Sequence, residues 1–312
     1  MHMSDALLSP VVGSAMCAVS TAAIAYSVAK VKRDDLCEKK VPMMGVMGAF
    51  VFAVQMLNFT IPATGSSGHL SGGILLAAIL GSAPALLSMS AILIIQCLFF
   101  ADGGLLALGC NIFNMGVVPC LIIYPLIFKP FIKKNITPSR LTVASISAAI
   151  IALQIGPFCV VLETLASGIV ELSFSSFVLL MQPIHLAIGV AEGIVTAAIL
   201  CFVYKTRPEV IENSPNNAAI AVFAIAALLA AGALSIFASS NPDGLEWALE
   251  KAAAAIDFEK EPIKTAFMPD YNFKNEEAFG TSVAGILGGI LTFLLAIFAA
   301  FVISAVKKRK FS

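Results

Sequence analysis

The first two residues place an imidazole directly after the α-amine of the chain. The Met1 amine, the backbone nitrogen of His2 and the His2 imidazole can chelate one metal ion, closing a five-membered and then a six-membered ring. The backbone nitrogen must lose a proton, which proline at position 2 would not carry. Three coplanar nitrogens leave a fourth in-plane position, and a square-planar nitrogen set suits Ni(II) or Cu(II).

A second histidine, His69, can supply the fourth nitrogen, and Co(II) could use the same donors with less gain from a planar geometry. It lies in the stretch IPATGSSGHL at 61–70. Taken alone, the two histidines leave ordinary solvated or hydrogen-bonded roles open. Transport of Cu(I) by soft methionine donors is a further alternative, although the eleven methionines are scattered through apolar runs, where they commonly fill the core.

The elements that must position these donors are membrane helices. The chain is 59% hydrophobic and 12% charged, whereas a soluble domain carries about 25% charged residues. Its apolar runs reach the ~20 residues that a spanning helix needs. The composition predicts an all-α integral membrane protein, multi-pass in the inner (plasma) membrane, with lipid and no nucleic acid as a partner.

Nine apolar stretches are candidate spans, and the third is short: 8–29, 42–60, 71–82, 84–101, 105–128, 141–166, 177–204, 219–238 and 281–306. Most of the 19 basic residues lie in four stretches, 30–40, 129–140, 205–207 and 307–310. All four face the cytoplasm only if two crossings lie between 71 and 101, with a break at GSAP, 81–84. The N-terminus is then outside, on the same face as His2 and His69, and the C-terminus is cytoplasmic.

A cleaved signal peptide is the alternative interpretation of residues 1–29. Signal peptides open with a basic region, whereas here the basic residues follow the apolar run. This order is typical of an anchor with its N-terminus outside. We therefore expect Met1 to be the start and to be retained, because the following histidine is not small.

Several separated motifs resemble the CbiM/NikM family, the substrate-binding membrane components of energy-coupling-factor transporters for cobalt and nickel. They are MHMSDALLSP at 1–10, QMLNFTIPATGSSGHLSGG at 55–73, DGGLLALGCNIFNMG at 102–116 and PIHLAIGVAEGIVT at 183–196. The resemblance implies a seven-span metal-binding core over 1–205. Residues 206–312 resemble a fused NikN-type module, with two spans flanking an external loop, 239–280, that opens NPDGLE. The whole resembles the NikMN arrangement.

The resemblance implies a transported Ni²⁺ or Co²⁺, rather than a resident cofactor, bound by the Met1 amine, His2 and His69. Family starts often read MHIPDG where this chain has MHMSDA, which leaves the donors intact. Polar side chains of the same motifs are candidates to orient a metal-bound imidazole, or equally to bond helices together: Gln55, Asn58, Ser67, Gln96, Asp102, Asn111 and Asn114.

His185 and Glu192 lie seven residues apart on one face of the span 177–204. An ionisable group near the bilayer midplane is often functional, so the pair are candidates for metal transit or gating. A hydrogen-bonded residue that holds the bundle together is the alternative, and we favour this structural role.

The chain has no G-x-x-x-x-G-K-[ST] motif, so it cannot bind ATP through a P-loop. The resemblance implies a transmembrane coupling (T) component and a pair of cytoplasmic ATPases. Small residues four apart in span one, Ala18/Ala22 and Ala25/Ala29, could dock that component or pack inside the bundle. Two other function classes remain: a membrane-embedded metal-dependent enzyme or assembly factor, and a vitamin-binding component of the same transporter class. The lack of a nucleophile–base constellation argues against an enzyme.

The loop 239–280 contains DGLEWALEKAAAAIDFEKE at 243–261, which predicts a short external helix with Trp247 as a candidate interface anchor. Such a helix could position the N-terminus or gate the metal. A solvated connector is the alternative.

Overall fold

The computed structural model describes residues 2–33, 40–211, 217–235, 238–252, 266–271 and 277–308. Its helices are α1 Pro10–Arg33, α2 Lys40–Gln55, α3 Gly73–Leu80, α4 Ser82–Phe100, α5 Leu108–Ile112, α6 Lys129–Ile132, α7 Pro138–Ser167, α8 Phe174–Thr206, α9 Pro208–Ile211, α10 Asn217–Leu229, α11 Gly244–Lys251 and α12 Glu277–Lys308. Short 3₁₀ turns cover Asp5–Leu7 and Pro269–Tyr271. The helical membrane fold expected from composition is confirmed.

Seven helices are long and apolar enough to cross a membrane among the residues that the structure describes. One of them, Leu108–Ile132, runs from α5 to α6 through a π-helical segment, Phe113–Phe128. Pro119 and Pro125 lie inside that segment, and a proline removes a backbone donor and crowds the preceding turn, so a wider winding is a natural response. Two further apolar helices, α2 and α3, are shorter, with 16 and 8 residues.

The span expected over 42–60 is wrong at its end. Helix α2 stops at Gln55, and strand β1 Phe59–Ile61 pairs antiparallel with β2 Ser66–Gly68 in a hairpin. Pro62 disfavours helical backbone at the residue before it, and Gly65 adopts a φ of 76° that closes the connection between the strands. The chain thus enters an extended segment at Phe59, well before His69.

The predicted break at 81–84 is present at Gly81, whose φ of 85° separates α3 from α4. The start of α3 follows His69, and the end of α4 precedes Asp102. Both of these residues contact His2. Helix α3 therefore starts and helix α4 ends at the same end of the bundle. We call this end the site end.

Helix α4 is central and α1 is peripheral. In the most apolar window of α4 83% of residues are buried, against 17% in α1. The central helix brings Gln96 to the site end, where Asp102 follows it. The outer helix leaves most of one face free of contacts within this chain.

The C-terminal helices α10 and α12 pack along α2 rather than standing apart from the core. A Cβ at Gly288 of α12 would lie 2.0 Å from the Phe52 ring of α2, so glycine is required for this close approach. Phe223 of α10 meets Phe50 of α2 with ring centroids 5.7 Å apart. This packing positions the described parts of the following segment, 238–252 and 266–271, at the site end.

Candidate metal centre

The N-terminal segment packs into the helix bundle. Met3 is fully buried. Asn111 clamps its backbone: Asn111 Oδ1 accepts from the Met3 N–H at 2.8 Å, and Asn111 Nδ2 donates to the Met3 carbonyl at 3.1 Å. The Gly104 N–H donates to the same carbonyl at 3.0 Å, and Asp5 Oδ1 accepts from the Ala107 N–H at 2.9 Å. These bonds fix the backbone next to His2.

Two glycines after Asp102 make room for that segment. Gly103 has a φ of 83°, and a Cβ there would lie 2.6 Å from Asn111 Nδ2. A Cβ at Gly104 would lie 1.8 Å from Asp5 Oδ1. Neither contact is sterically tolerable, so this stretch of backbone acts as a cradle that only glycine can form.

We expect Gly104→Ala to weaken nickel binding by about 10–100-fold, the range typical of changes that disturb metal ligands without removing them. The added methyl group must displace residues 2–5 while every donor remains present. Nickel titration of the purified protein measures the change. Gly232→Ala is the control, because a Cβ there makes only an ordinary contact at 3.6 Å. Equal affinity of the Gly104 variant and the wild type would contradict this expectation.

The structure places the two predicted imidazoles side by side. The ring centroids of His2 and His69 are 5.3 Å apart, with 17° between the ring planes. With metal–nitrogen bonds of about 2.0–2.1 Å, two imidazoles on one ion have centroids at most about 6 Å apart. The separation therefore suits one shared ion. Met1 lies outside the described residues.

A chain of amides determines which nitrogen of His2 carries the proton. Gln55 Nε2 donates to the Ser71 carbonyl at 2.7 Å, so Gln55 Oε1 must accept from Gln96 Nε2, also at 2.7 Å. Gln96 Oε1 then faces His2 Nε2 at 3.1 Å and requires an N–H there. The lone pair of His2 is left on Nδ1, the nitrogen that closes the six-membered chelate ring.

His69 is held in a matching way. Its Nδ1 lies 3.3 Å from the Leu70 carbonyl, which can only accept, so Nε2 carries the lone pair. The following residues are anchored to α8: Glu192 accepts from the Ser71 N–H at 2.7 Å, the Ser71 hydroxyl at 2.9 Å and the Gly72 N–H at 3.1 Å. Glu192 thus positions the His69 loop.

Burial keeps both rings in the neutral form that binds metal. It lowers the pKa of His69 to about 3. Burial also lowers the pKa of His2, outweighing the attraction of Asp102 for the protonated ring. Loss of hydration disfavours the imidazolium ion, so metal binding at neutral pH requires no proton to leave either imidazole.

Asp102 faces Nδ1 of His2, the nitrogen expected to bind metal. Its Oδ1 lies 3.1 Å from His2 Nδ1, with the side chains 25% and 7% exposed, respectively. Its Oδ2 accepts a hydrogen bond from the Tyr271 hydroxyl. The carboxylate oxygen and His2 Nδ1 thus lie in contact, and a proton or a metal ion between them satisfies both.

Asn58 and Ser67, candidates to orient an imidazole or to bond structural elements together, contact the segment after α10. The Asn58 carbonyl accepts from the Ser239 N–H at 2.8 Å. The Ser67 N–H donates to the Pro242 carbonyl at 2.7 Å, and Ser67 Oγ donates to the Asn241 carbonyl at 2.8 Å. These two residues attach the hairpin to the C-terminal part of the chain.

Asn114 and His185 also bond away from the two rings. Asn114 Nδ2 donates to Glu163 Oε2 at 2.8 Å, linking the π-helical segment to α7. His185 Nδ1 donates to the Met181 carbonyl at 2.8 Å within its own helix. The Asn114 contact fits helix packing, whereas His185 also lines a small cavity together with His69 and Asp243.

The short helix expected after position 243 is present as α11, with Asp243 and Glu246 forming a capping box at its start. The predicted part beyond 252 lies outside the described residues until 266. Trp247, expected as a membrane-interface anchor, donates from Nε1 to the Thr64 carbonyl at 2.9 Å. It thereby joins α11 to the connection of the hairpin.

Side chains alone do not form a conventional metal site here. Over the described ranges, no three His, Cys, Asp or Glu residues form a group that could hold a metal ion. The donor set expected from sequence contains only two side chains, since its other members are an amine and a backbone nitrogen. Residue-type searches for metal clusters would therefore miss it.

Comparison with known proteins gives two family matches and several relatives. The model of the CbiM cobalt uptake substrate-specific transmembrane region matches residues 2–210, and that of the PDGLE domain matches 217–305. A protein of Archaeoglobus fulgidus, whose name classes it with the fused nickel transport proteins NikMN, is 32% identical over 303 residues, 95% of this chain and 96% of that protein.

Two further similarities are a relative and a solved structure. The fused nickel transport protein NikMN of Rhodobacter capsulatus is 32% identical over 227 residues, 68% of this chain and 64% of that protein. A crystal structure of a truncated transition metal transporter superposes with a TM-score of 0.58 at 26% identity, covering 66% of this chain and 99% of that one.

Proposed function

Because the chain belongs to the CbiM family of cobalt uptake substrate-specific transmembrane proteins and carries a PDGLE domain, we propose that it is the metal-binding subunit of an ATP-driven importer of Ni²⁺ or Co²⁺. It is a nickel/cobalt transport component of CbiM/NikM type and not an enzyme, in line with relatives that are named as transport proteins. We further propose a metal-binding core over 1–205 and a NikN-like module over 206–312.

The observation that carries the proposal is the pairing of His2 with His69, whose ring centroids lie 5.3 Å apart and whose rings are both kept neutral by burial. The proposed donors are the Met1 amine, the deprotonated His2 backbone nitrogen, His2 Nδ1 and His69 Nε2. This planar set favours Ni(II), and Co(II) can use the same nitrogens. His2 Nδ1 must exchange its contact with Asp102 for a metal bond.

The membrane orientation follows from charge. Lysines and arginines lie in the last turns of α1 and α8 and directly after α6, whereas the site lies next to the first turn of α1. Basic loops remain in the cytoplasm, which supports an external metal site in the inner (plasma) membrane. Since the sequence lacks a P-loop, ATP hydrolysis must come from separate cytoplasmic ATPases, linked through a transmembrane coupling component.

Metal analysis of the purified chain tests the proposal. Protein freed of metal, equilibrated with equimolar Ni²⁺ and Co²⁺ and desalted, should retain about one ion per chain. A chain that retains neither ion under these conditions would overturn the assignment. The result also separates this function from that of a vitamin-binding component, which needs no metal.

The structure favours one docking face for the coupling component. Ala18, Ala22, Ala25 and Ala29 are all exposed on α1, although sequence alone left an interior position open. Small residues spaced in this way let another helix approach closely. We propose that the coupling component packs against this alanine face.

We expect Ala22→Phe to abolish nickel uptake by cells while leaving nickel binding by the purified chain unchanged, because the ring blocks helix contact far from the metal. Ala221→Phe is the matched control, since it makes the same change at an exposed position of α10. Uptake assays and co-purification with the coupling component measure the effect. Normal uptake by the Ala22 variant would exclude this face.

A further inference from the structure

Tyr271 brings one part of the C-terminal module to Asp102, which contacts His2. Residues 266–271 lie against the end of α4, where the Met268 N–H donates to the Phe99 carbonyl at 2.9 Å and the Met268 side chain is buried. The Tyr271 ring stacks on Phe100, with centroids 4.7 Å apart and 14° between planes. The segment is thus anchored to the helix that leads to Asp102.

Tyr271 is held in an unusual backbone conformation. Its φ is 58°, a left-handed geometry that is rare for a bulky residue and that persists only where the surroundings impose it. The surroundings here are the ring stack and the hydrogen bond from the Tyr271 hydroxyl to Asp102 Oδ2. The geometry aims the hydroxyl at the carboxylate.

The carboxylate in turn faces the proposed chelate. A divalent ion bound by a neutral amine, one deprotonated amide and two neutral imidazoles carries one net positive charge. A buried charge is costly unless a partner of opposite sign neutralises it. Asp102 contacts His2 directly, with Oδ1 3.1 Å from Nδ1, while a second carboxylate, Asp243, lines a small cavity beside His69.

We propose that the C-terminal module is a working part of the metal site: Tyr271 positions Asp102, and the Asp102 carboxylate neutralises the metal complex formed at His2. This inference rests on the proposed function and deepens it, since it gives the PDGLE-type module a role in holding the ion. Tyr271 is a positioning residue, because it acts through Asp102.

A double-mutant cycle on nickel affinity tests the proposal in the full-length purified protein. Asp102→Asn should weaken binding of Ni²⁺ by about 10–100-fold, because it removes the charge and keeps the shape. Tyr271→Phe should weaken binding by about tenfold while preserving the ring stack. If Tyr271 acts through Asp102, the double variant should bind no more weakly than Asp102→Asn alone.

Tyr204→Phe is the matched control, since its hydroxyl donates to the Ile136 carbonyl at 2.9 Å, away from His2, and it should bind nickel like the wild type. Asp102→Glu should recover part of the affinity. Additive losses in the double variant, or unchanged affinity in Tyr271→Phe, would overturn the inference while leaving the proposed function standing. Failure of the wild type to bind nickel would instead refute the proposed function.

Discussion

An uncleaved tag placed before Met1 is expected to lower nickel affinity by more than about 100-fold and to abolish uptake, while membrane insertion stays normal. Disturbing the surroundings of a metal ligand alone costs about 10–100-fold, and the tag removes a donor by converting the free amine into an amide. Isothermal titration with Ni²⁺ and cellular uptake assays measure the two effects.

The packing of the N-terminus prevents a tagged chain from compensating for the lost amine. Asn111 holds both backbone groups of Met3, and Met3 is fully buried, so an extended chain cannot slide to bring a new amine to the site. A C-terminal tag is the control and should be harmless. Full binding and uptake by the intact N-terminally tagged protein would show that the amine is not a ligand.

A single alanine inserted between Met1 and His2 distinguishes chelate geometry from residue type. It retains both side chains but adds an amide and moves the imidazole to the third position. The amine, two amides and the ring could then fill all four planar positions and leave none for His69. If the insertion variant binds nickel equally well with and without His69, the metal is held by the altered chelate alone. This variant therefore complements the tag experiment.

His69→Ala is expected to remove most metal from the purified protein, with a loss of affinity of more than about 100-fold, because it deletes the fourth in-plane nitrogen. The fold should survive, since Glu192 holds the loop through the backbone of Ser71 and Gly72 rather than through the His69 ring. Elemental analysis after desalting measures metal content, and thermal unfolding checks stability.

Tyr204→Phe is the control for that experiment, because the Tyr204 hydroxyl donates to the Ile136 carbonyl, away from the two histidines. It should retain nickel. Added imidazole should restore part of the binding in His69→Ala by occupying the vacated position. Unchanged nickel content in His69→Ala would exclude this ring as a ligand.

The sequence alone identified the class of protein, the helices and the two histidines. Apolar runs of about 20 residues identify membrane helices because a helix of that length spans the hydrocarbon core, and the run can be read from consecutive residues. The distribution of basic residues then required a turn near Gly81, since topology depends on counted charges rather than on packing. With α3 and α4 antiparallel, His2 and His69 had to meet at one end of the bundle.

Only the tertiary structure shows which polar groups lie at the proposed metal site. Gln55, Gln96 and Asn111 contact the N-terminal site, whereas Asn58 and Ser67 bond to the C-terminal module. All five are amides or hydroxyls near helix ends, so composition and spacing cannot separate them. A hydrogen bond depends on atoms within about 3 Å, and these partners lie far apart along the chain.

The contact between Asp102 and Tyr271 shows the same limit most clearly, because the two residues are 169 positions apart. No local pattern links them, and the surrounding sequence of Tyr271 carries no motif for metal binding. Residue types and spacing determine which groups are able to bind a metal, since that depends on their chemistry. Only the folded chain determines which of them meet, because their distances are set by the packing of α4, α10 and α12 around one end of the bundle.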